Sequence, residues 1–473
     1  MIYKVYGPPG TGKTHSLISR AKAYARVGVP LHRIGYFAFT KKAAQEAIKR
    51  MPAEEKQLPY FQTLHAFSFH TLALKEEDIM QPYHYEDLGK ILNIRVNYVD
   101  KYNEEETHYL TNDNPYFQLI GRAINRDITI REEFDRNEHD KKYINWDTLK
   151  HIHHNLIEYK KQNQLKDFND IIKGVTLKMI KDFDVVFIDE AQDLSPLQWK
   201  LYDLLKQKTT DIYLAGDDDQ AIFAWAGADV ERFIREPAKE KILKYSKRIS
   251  KAVQEESNII TNRIVGSRKI KDYLPNSNKG ETQYISNLGQ VDLSKGKWLI
   301  LTRTRSTLLK IMEELKKANL YFQSKKGKSF RVSMYNAKRY YDSWKSGKEL
   351  DDKYFKDIKE FTGDVELDKT ISWFDAFINA DLTEKNYIRQ LLERGERLDE
   401  DARIWLSTIH AIKGGEEDNV ILSLEQGDKI QKAIKKSFDK QDEEHRVWYV
   451  AVTRARHNLY KLKAKIKRKG YNL

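Results

Sequence analysis

Gly7-Pro8-Pro9-Gly10-Thr11-Gly12-Lys13-Thr14 stands near the start of the chain and decides how the rest is read. A glycine, four residues and then Gly-Lys-Thr is the spacing of a phosphate loop. The flanks supply the context that the pattern needs. Residues 2–6 are apolar and β-prone, and a helix-favouring stretch runs from residue 14 to about 26. Such a strand, loop and helix start lets glycine backbone N–H groups turn toward phosphate oxygens. The helix N-terminus adds positive dipole, Lys13 reaches the β and γ phosphates, and Thr14 holds Mg²⁺. Gly7, Pro8, Pro9, Gly10, Thr11, Gly12, Lys13, Thr14 and His15 are therefore the expected nucleotide cradle.

A phosphate loop of this kind needs a second strand ending in an acid. Val185-Val186-Phe187-Ile188-Asp189-Glu190-Ala191-Gln192-Asp193 provides one. Asp189 is placed to bind the water shell of Mg²⁺, and Glu190 is the natural general base for an attacking water. The pair predicts hydrolysis of a nucleoside triphosphate, without saying what it powers.

Composition sets the outer bounds. The 473 residues are enough for about two to four domains. With 83 Lys and Arg against 70 Asp and Glu, the net charge is +13, which favours a polyanionic partner. No apolar run approaches a membrane span and no signal-peptide pattern is seen, so a soluble, intracellular, cytoplasmic protein is expected. The absence of cysteine excludes disulfides, thiolate-held iron–sulfur clusters and cysteine zinc sites. His151, His153 and His154 lack ligand-spaced partners and read as a solvated helix face.

A further strand at residues 212–216 leads into Asp217-Asp218-Asp219-Gln220-Ala221-Ile222-Phe223-Ala224-Trp225-Ala226-Gly227-Ala228. This block resembles the third motif of superfamily 1 helicases of the UvrD/Rep/PcrA type. The resemblance continues in order along the chain. Phe37-Ala38-Phe39-Thr40-Lys41-Lys42-Ala43-Ala44 and Thr63-Leu64-His65-Ala66-Phe67 are similar to the first DNA-contacting motifs, and Asp167-Phe168-Asn169-Asp170 to a short signature. Residues 243–253, with Arg248, and Leu299-Ile300-Leu301-Thr302-Arg303-Thr304 are similar to the opening motifs of the second lobe. Thr408-Ile409-His410-Ala411-Ile412-Lys413-Gly414-Gly415-Glu416 and residues 443–455, with Arg454, are similar to the last two.

The resemblance implies an α/β fold of two RecA-like P-loop lobes with mostly parallel sheets, each carrying an inserted accessory subdomain, with ATP between the lobes. The first lobe is expected at 1–66 and 175–240, with its insertion at 67–174. The second is expected at 241–307 and 404–473, with a short insertion at 308–403. In this scheme Gln220 reads the γ-phosphate or its water, while Arg248 and Arg454 sense the γ-phosphate through planar, permanently charged guanidinium groups. Gly414 and Glu416 lie at the nucleotide, Glu416 facing the ribose. Phe39, Phe223 and Trp225 receive unstacked bases. Thr40, Thr63, His65, Thr408 and His410 touch the DNA backbone.

The implied activity is ATP-dependent 3′→5′ DNA unwinding by a monomer on single-stranded DNA and at its junctions with duplex. The alternative is a translocase that displaces bound proteins with little unwinding. A small-molecule kinase does not account for the Gln220 and Arg454 blocks. A DNA-binding protein without catalysis does not account for Lys13, Glu190, Gln220 and Arg454 together. Some positions depart from the family. No upstream glutamine motif precedes the first strand, Lys247 stands where a base-stacking tyrosine is common, and His15 and Ala226 stand where arginines are common. The first three weaken the expected preference for ATP. Two bland readings complete the expectations. The aromatics of residues 331–345 are helix-spaced core, and residues 460–467 form a last strand whose lysines protect a sheet edge.

Overall fold

The computed structural model describes residues 1–96, 114–136, 140–363, 366–412 and 415–473. Two compact units emerge, residues 1–280 with 432–453, and residues 281–431 with 454–473.

The first unit is built on six strands, β1 (Ile2–Tyr6), β2 (Ile34–Ala38), β3 (Phe61–Thr63), β4 (Phe183–Ile188), β5 (Thr209–Gly216) and β6 (Lys239–Ile242). They lie in the order β3-β2-β4-β5-β1-β6, and every neighbouring pair is parallel. Parallel strands are covered on both faces, which explains why the inner ones read as continuous apolar runs. Along β4 and β5, alternate residues serve opposite sides. Val186, Ile188, Ile212 and Leu214 join one core, whereas Val185, Phe187, Tyr213 and Ala215 join the other. Because all strands run the same way, Tyr6, Ala38, Ile188 and Gly216 end at one edge of the sheet. Ligands of open α/β sheets bind at that edge.

Between β3 and β4 the helices Pro82–Ile91, Pro115–Asn125 and Trp146–Gln162 pack around a core of their own, in which Leu88, Phe117, Leu119, Ile120, Leu149, Ile152 and Leu156 are buried. The histidine group lies on the helix Trp146–Gln162, with His151 and His154 exposed.

The second unit carries β7 (Glu281–Ile285), β8 (Trp298–Thr302), β9 (Phe322–Ser324), β10 (Gly327–Lys328), β11 (Ile404–Thr408), β12 (Glu417–Ser423) and β13 (Ala455–Leu462) in the order β10-β9-β11-β8-β12-β13-β7. Among the described strands of this sheet, the β9–β10 pair is antiparallel and the other neighbouring pairs are parallel. The chain is thus α/β with two mostly parallel sheets, as the sequence predicts. The aromatics of the helix Val332–Lys345 are core where expected, with Tyr335 and Tyr341 buried among Phe361, Phe377 and Leu391. The edge reading of the last strand is corrected. β13 is an interior strand between β12 and β7, and it stops at Leu462. Lys461 is accordingly buried, its ammonium 4.1 Å from the centre of the Tyr284 ring. Sequence alternation reported the strand, but the parallel partner outside it comes from far upstream.

Candidate nucleotide site and nucleic-acid interface

The phosphate loop links β1 to the helix Lys13–Arg26. Gly10 and Gly12 have φ of +72° and +86°, conformations that side chains resist. Gly10 has a second reason to be glycine. A Cβ there would fall 2.2 Å from Cβ of Arg248 and 2.8 Å from Oγ of Ser246. The segment after β6 therefore lies directly on the loop. Lys247 N–H donates to the Gly10 carbonyl (2.9 Å), and Ser246 Oγ donates to that of Pro9 (2.7 Å). Thr11 closes the loop by donating its hydroxyl to the Pro8 carbonyl at 2.7 Å. Lys13 folds back across Gly7 and donates to its carbonyl at 2.8 Å. No side chain caps the helix at Gly12, so its first-turn N–H groups face the loop, an arrangement suited to phosphate oxygens. Beside it opens a cavity of about 600 Å³ lined by Thr11, His15, Ser16, Arg20, Leu243 and Lys247.

At the end of β4, Asp189 accepts from Thr14 Oγ1 (2.7 Å) and from the Tyr36 hydroxyl (3.0 Å). Burial, and then the neighbouring Glu190 charge, push its carboxyl above the usual range, while Thr14, Lys13 and Tyr36 pull the other way. The hydroxyl and carboxylate of Thr14 and Asp189 are hard oxygen donors and fit Mg²⁺, which prefers such ligands and keeps several waters. Among the described residues no group of three His, Cys, Asp or Glu is gathered as a metal cage.

Glu190 adopts φ 55°, ψ 40°, a left-handed conformation that is uncommon for a non-glycine residue and is found preferentially at functional sites. Gln192 holds its carboxylate, donating from Nε2 to Glu190 Oε2 at 2.6 Å and to Asp193 at 2.9 Å. The same amide accepts at Oε1 from the Asp217 N–H (3.1 Å), and Asp217 accepts from Gln220 Nε2 at 2.7 Å. A continuous path of hydrogen bonds therefore runs from Glu190 to Gln220.

Three adjacent aspartates would repel one another if buried alone. Lys271, 2% exposed at its side chain, answers all of them, at 3.1 Å from Asp217, 2.5 Å from Asp218 and 2.9 Å from Asp219. Arg268 grips Asp219 with two bonds of 2.9 and 2.8 Å. Burial alone would lower the Lys271 pKa, but the three carboxylates outweigh it and raise the pKa. The helix Phe438–Val452 completes the enclosure, with Arg446 Nε donating to the Asp218 carbonyl at 3.1 Å.

Three residues past Gln220, the Phe223 ring stacks on Phe39, with centroids 5.4 Å apart and planes 23° from parallel. Trp225 lies 6.5 Å from Phe223, tilted by 54°. Phe223 is only 2% exposed, so the half-exposed faces belong to Phe39 and Trp225, with Phe223 as their backing. Thr40 and Thr63 use their hydroxyls to cap the helices Lys41–Arg50 and Leu64–Thr71. His65 is buried, and it lines a small internal space together with Phe39, Thr63 and Asp189.

In the second unit, Thr408 ends β11 and His410 follows it half-buried. Glu416 is paired with Arg456 at 3.1 Å. Arg454 is buried, with Nη1 3.4 Å from the Gly415 carbonyl. Gly414 lies outside the described residues.

Residues 2–241, half of the chain, match the UvrD/REP helicase N-terminal domain. The chain belongs to the UvrD/REP helicase family. Residues 333–465 match the UvrD-like helicase C-terminal domain. A probable DNA helicase II homolog of Mycoplasma pneumoniae is 27% identical over 301 residues, 58% of this chain and 41% of that protein. The RecBCD enzyme subunit RecB of Buchnera aphidicola is 39% identical over 109 residues, 20% of this chain and 9% of RecB. The putative ATP-dependent DNA helicase YjcD of Bacillus subtilis is 24% identical over 241 residues, 46% of this chain and 30% of YjcD. The matched regions thus span less than half the length of these curated relatives. No helix among the described residues is long and apolar enough to cross a membrane.

Motif reading in this UvrD/REP member finds the loop, the acids and Gln220, and misses the groups that join them. Gln192 was visible inside the acidic strand block but carried no role. Tyr36 sits in an ordinary apolar strand. Lys271 and Arg268 belong to a stretch whose basic residues look like surface.

Proposed function

We propose that this chain is an ATP-dependent 3′→5′ DNA helicase that moves along single-stranded DNA and opens duplex at a junction. The observation that carries the reading is the segment 217–225. One end, Gln220, is hydrogen-bonded into the network that also holds Glu190, and the other end carries the aromatic pair Phe223 and Trp225 beside Phe39. A change at the triphosphate is thereby connected within one short segment to the surface on which bases stack, and such stacking is worth about 1–3 kcal/mol per base in any sequence.

In this reading residues 7–15 cradle ATP, and Thr14 and Asp189 hold Mg²⁺. When bound, the ion neutralises charge on the β and γ phosphates. Glu190 takes the proton of the attacking water, and Gln192 fixes which way its carboxylate faces. Gln220, Arg248 and Arg454 sense the γ-phosphate, and Gly414 and Glu416 serve the nucleotide. Phe39 and Trp225, backed by Phe223, receive bases. Thr40, Thr63, His65, Thr408 and His410 serve the DNA backbone, for Thr40 and Thr63 through the helix N-termini that they cap. The domain boundaries set out from the sequence, a monomeric state, an intracellular location and single-stranded DNA as partner belong to the same proposal. Positive net charge supports the polyanionic partner.

The test is ATP hydrolysis titrated with single-stranded DNA and RNA, followed by duplexes with a 3′ or a 5′ tail. DNA-stimulated hydrolysis with release of the 3′-tailed strand is the expected result. Stimulation without strand release favours the protein-displacing translocase, and release only from 5′ tails reverses the direction. Hydrolysis indifferent to oligonucleotide overturns the reading.

A further inference from the structure

The turn that carries Trp225, Ala224–Ala226, is gripped from outside its own sheet. Arg126 stands at the end of the helix Pro115–Asn125, in the helical segment between β3 and β4. Its Nη2 donates to the Ala224 carbonyl at 3.0 Å, while Nη1 donates to both Glu133 oxygens at 2.7 and 2.6 Å. Glu133 lies on the neighbouring helix Ile130–Arg136, is 1% exposed, and also accepts from Arg122 Nε at 2.8 Å. Past the turn, Gly227 has φ +104°, and a Cβ there would approach Asn125 Cβ to 3.2 Å and Arg126 Cγ to 3.4 Å. The end of one helix therefore touches the turn on both sides of Trp225. It does so through a polar bond before the ring and close packing after it.

A guanidinium suits this task. Its rigid plane sets one nitrogen on a buried carboxylate and leaves the other at a fixed angle to the carbonyl, so the direction of the second bond is set by the first. Glu133 is in turn fixed by Arg122, which makes the anchor stiff.

We propose that Arg126 is a positioning residue through which the helical segment sets the angle of the Trp225 ring, and so the affinity for single-stranded nucleic acid. The proposal rests on the reading of Trp225 as a base-stacking surface. Among the described residues the hydrogen bonds of the Arg126 guanidinium go to Glu133 and Ala224, not to the phosphate loop, Asp189 or Glu190, so its loss leaves hydrolysis without DNA intact.

The experiment uses the full chain with Arg126→Ala, Arg126→Lys, Trp225→Ala and the double variant Arg126→Ala/Trp225→Ala. Each is measured for ATP kcat and KM without DNA, for binding of a labelled oligothymidylate at several salt concentrations, and for thermal midpoint. Arg126→Ala is expected to weaken oligothymidylate binding about five- to tenfold, with basal kcat and KM within about twofold and the salt slope unchanged. In the Trp225→Ala background it adds no further loss. Arg126→Lys keeps the charge but not the fork and recovers little. Should Arg126→Ala fail to fold, Arg126→Lys still reads the geometry. Additive losses with a salt slope reduced by about one charge make Arg126 a direct phosphate contact and overturn the proposal. So does unchanged binding in Arg126→Ala, or full recovery by Arg126→Lys, when Trp225→Ala binds weakly. If Trp225→Ala binds normally, the stacking reading fails first and the proposal falls with it.

Discussion

Gln192 holds Glu190 by a 2.6 Å bond from its side-chain amide, and does so from a fully buried position. The proposed base is thus held by a neutral neighbour, in a backbone conformation that costs energy to maintain. Because the amide's oxygen is committed to the Asp217 N–H, its nitrogen must face the carboxylates. The amide's orientation is fixed by that pairing.

Gln192→Ala is expected to lower kcat for ATP hydrolysis by about 10- to 100-fold while leaving KM for ATP within a few-fold. Steady-state kinetics at saturating single-stranded DNA check this. A change confined to KM would show that the amide serves nucleotide binding instead.

Glu190→Gln should retain nucleotide and oligonucleotide binding and lose at least about 100-fold in turnover, since the amide cannot take a proton from water. Single-turnover hydrolysis beside equilibrium binding separates the two effects. Normal hydrolysis by this variant would remove Glu190 from the chemistry.

Lys271→Met leaves three buried carboxylates, with Arg268 still paired to Asp219, and removing one side of a buried ion cluster typically costs about 3–5 kcal/mol. Urea unfolding should report a loss of that order, and Lys271→Arg a smaller one. A loss below about 1 kcal/mol would mean that the aspartates are stabilised by something other than this ammonium.

His445 offers a test by pH. Burial first, and then the Arg263 charge, hold its imidazole below the ordinary range, against Asp442 and Glu444 and with a smaller push from Arg446. The unfolded chain therefore binds a proton near pH 6.5 that the folded chain does not yet take, so stability falls as pH drops below about 6.5 toward the lower folded value. Above that window the residue contributes no pH dependence. Denaturation at pH 7.5 and 5.5 should show a smaller loss for His445→Gln than for the parent chain, the parent's extra slope not exceeding about 1.4 kcal/mol per pH unit. Equal losses would assign the pH dependence to other groups.

Much of the fold was legible because phosphate chemistry constrains local sequence. The loop needs glycines at fixed spacing, and strands buried on both faces need unbroken apolar runs, so β1 and β4 appear where residues 2–6 and 185–188 predict them. The conformation of the loop, with Gly10 and Gly12 at positive φ ahead of the helix Lys13–Arg26, is legible for the same reason. What the sequence hides is long-range pairing. Lys271 looks like any surface lysine until three aspartates from another segment surround it, and Arg126 like any helix-end arginine until the Ala224 carbonyl meets it. Phe223 was legible as an aromatic of the site but not as a buried one, since exposure depends on Phe39 lying over it. The edge reading of residues 460–467 failed on the same ground, as no local signal announces that β7 pairs outside β13.

That last arrangement bears on biogenesis. Among the described residues the sheet neighbour of β7 is β13, which follows it by about 170 residues, so the segment 281–285 leaves the ribosome well before its partner exists. Pairings of such sequence separation close slowly and expose unpaired strand in the interval. A nascent chain arrested before Ala455 would carry an orphaned β7 and a bare flank on β12, a species for chaperones or proteases rather than a shorter folded protein.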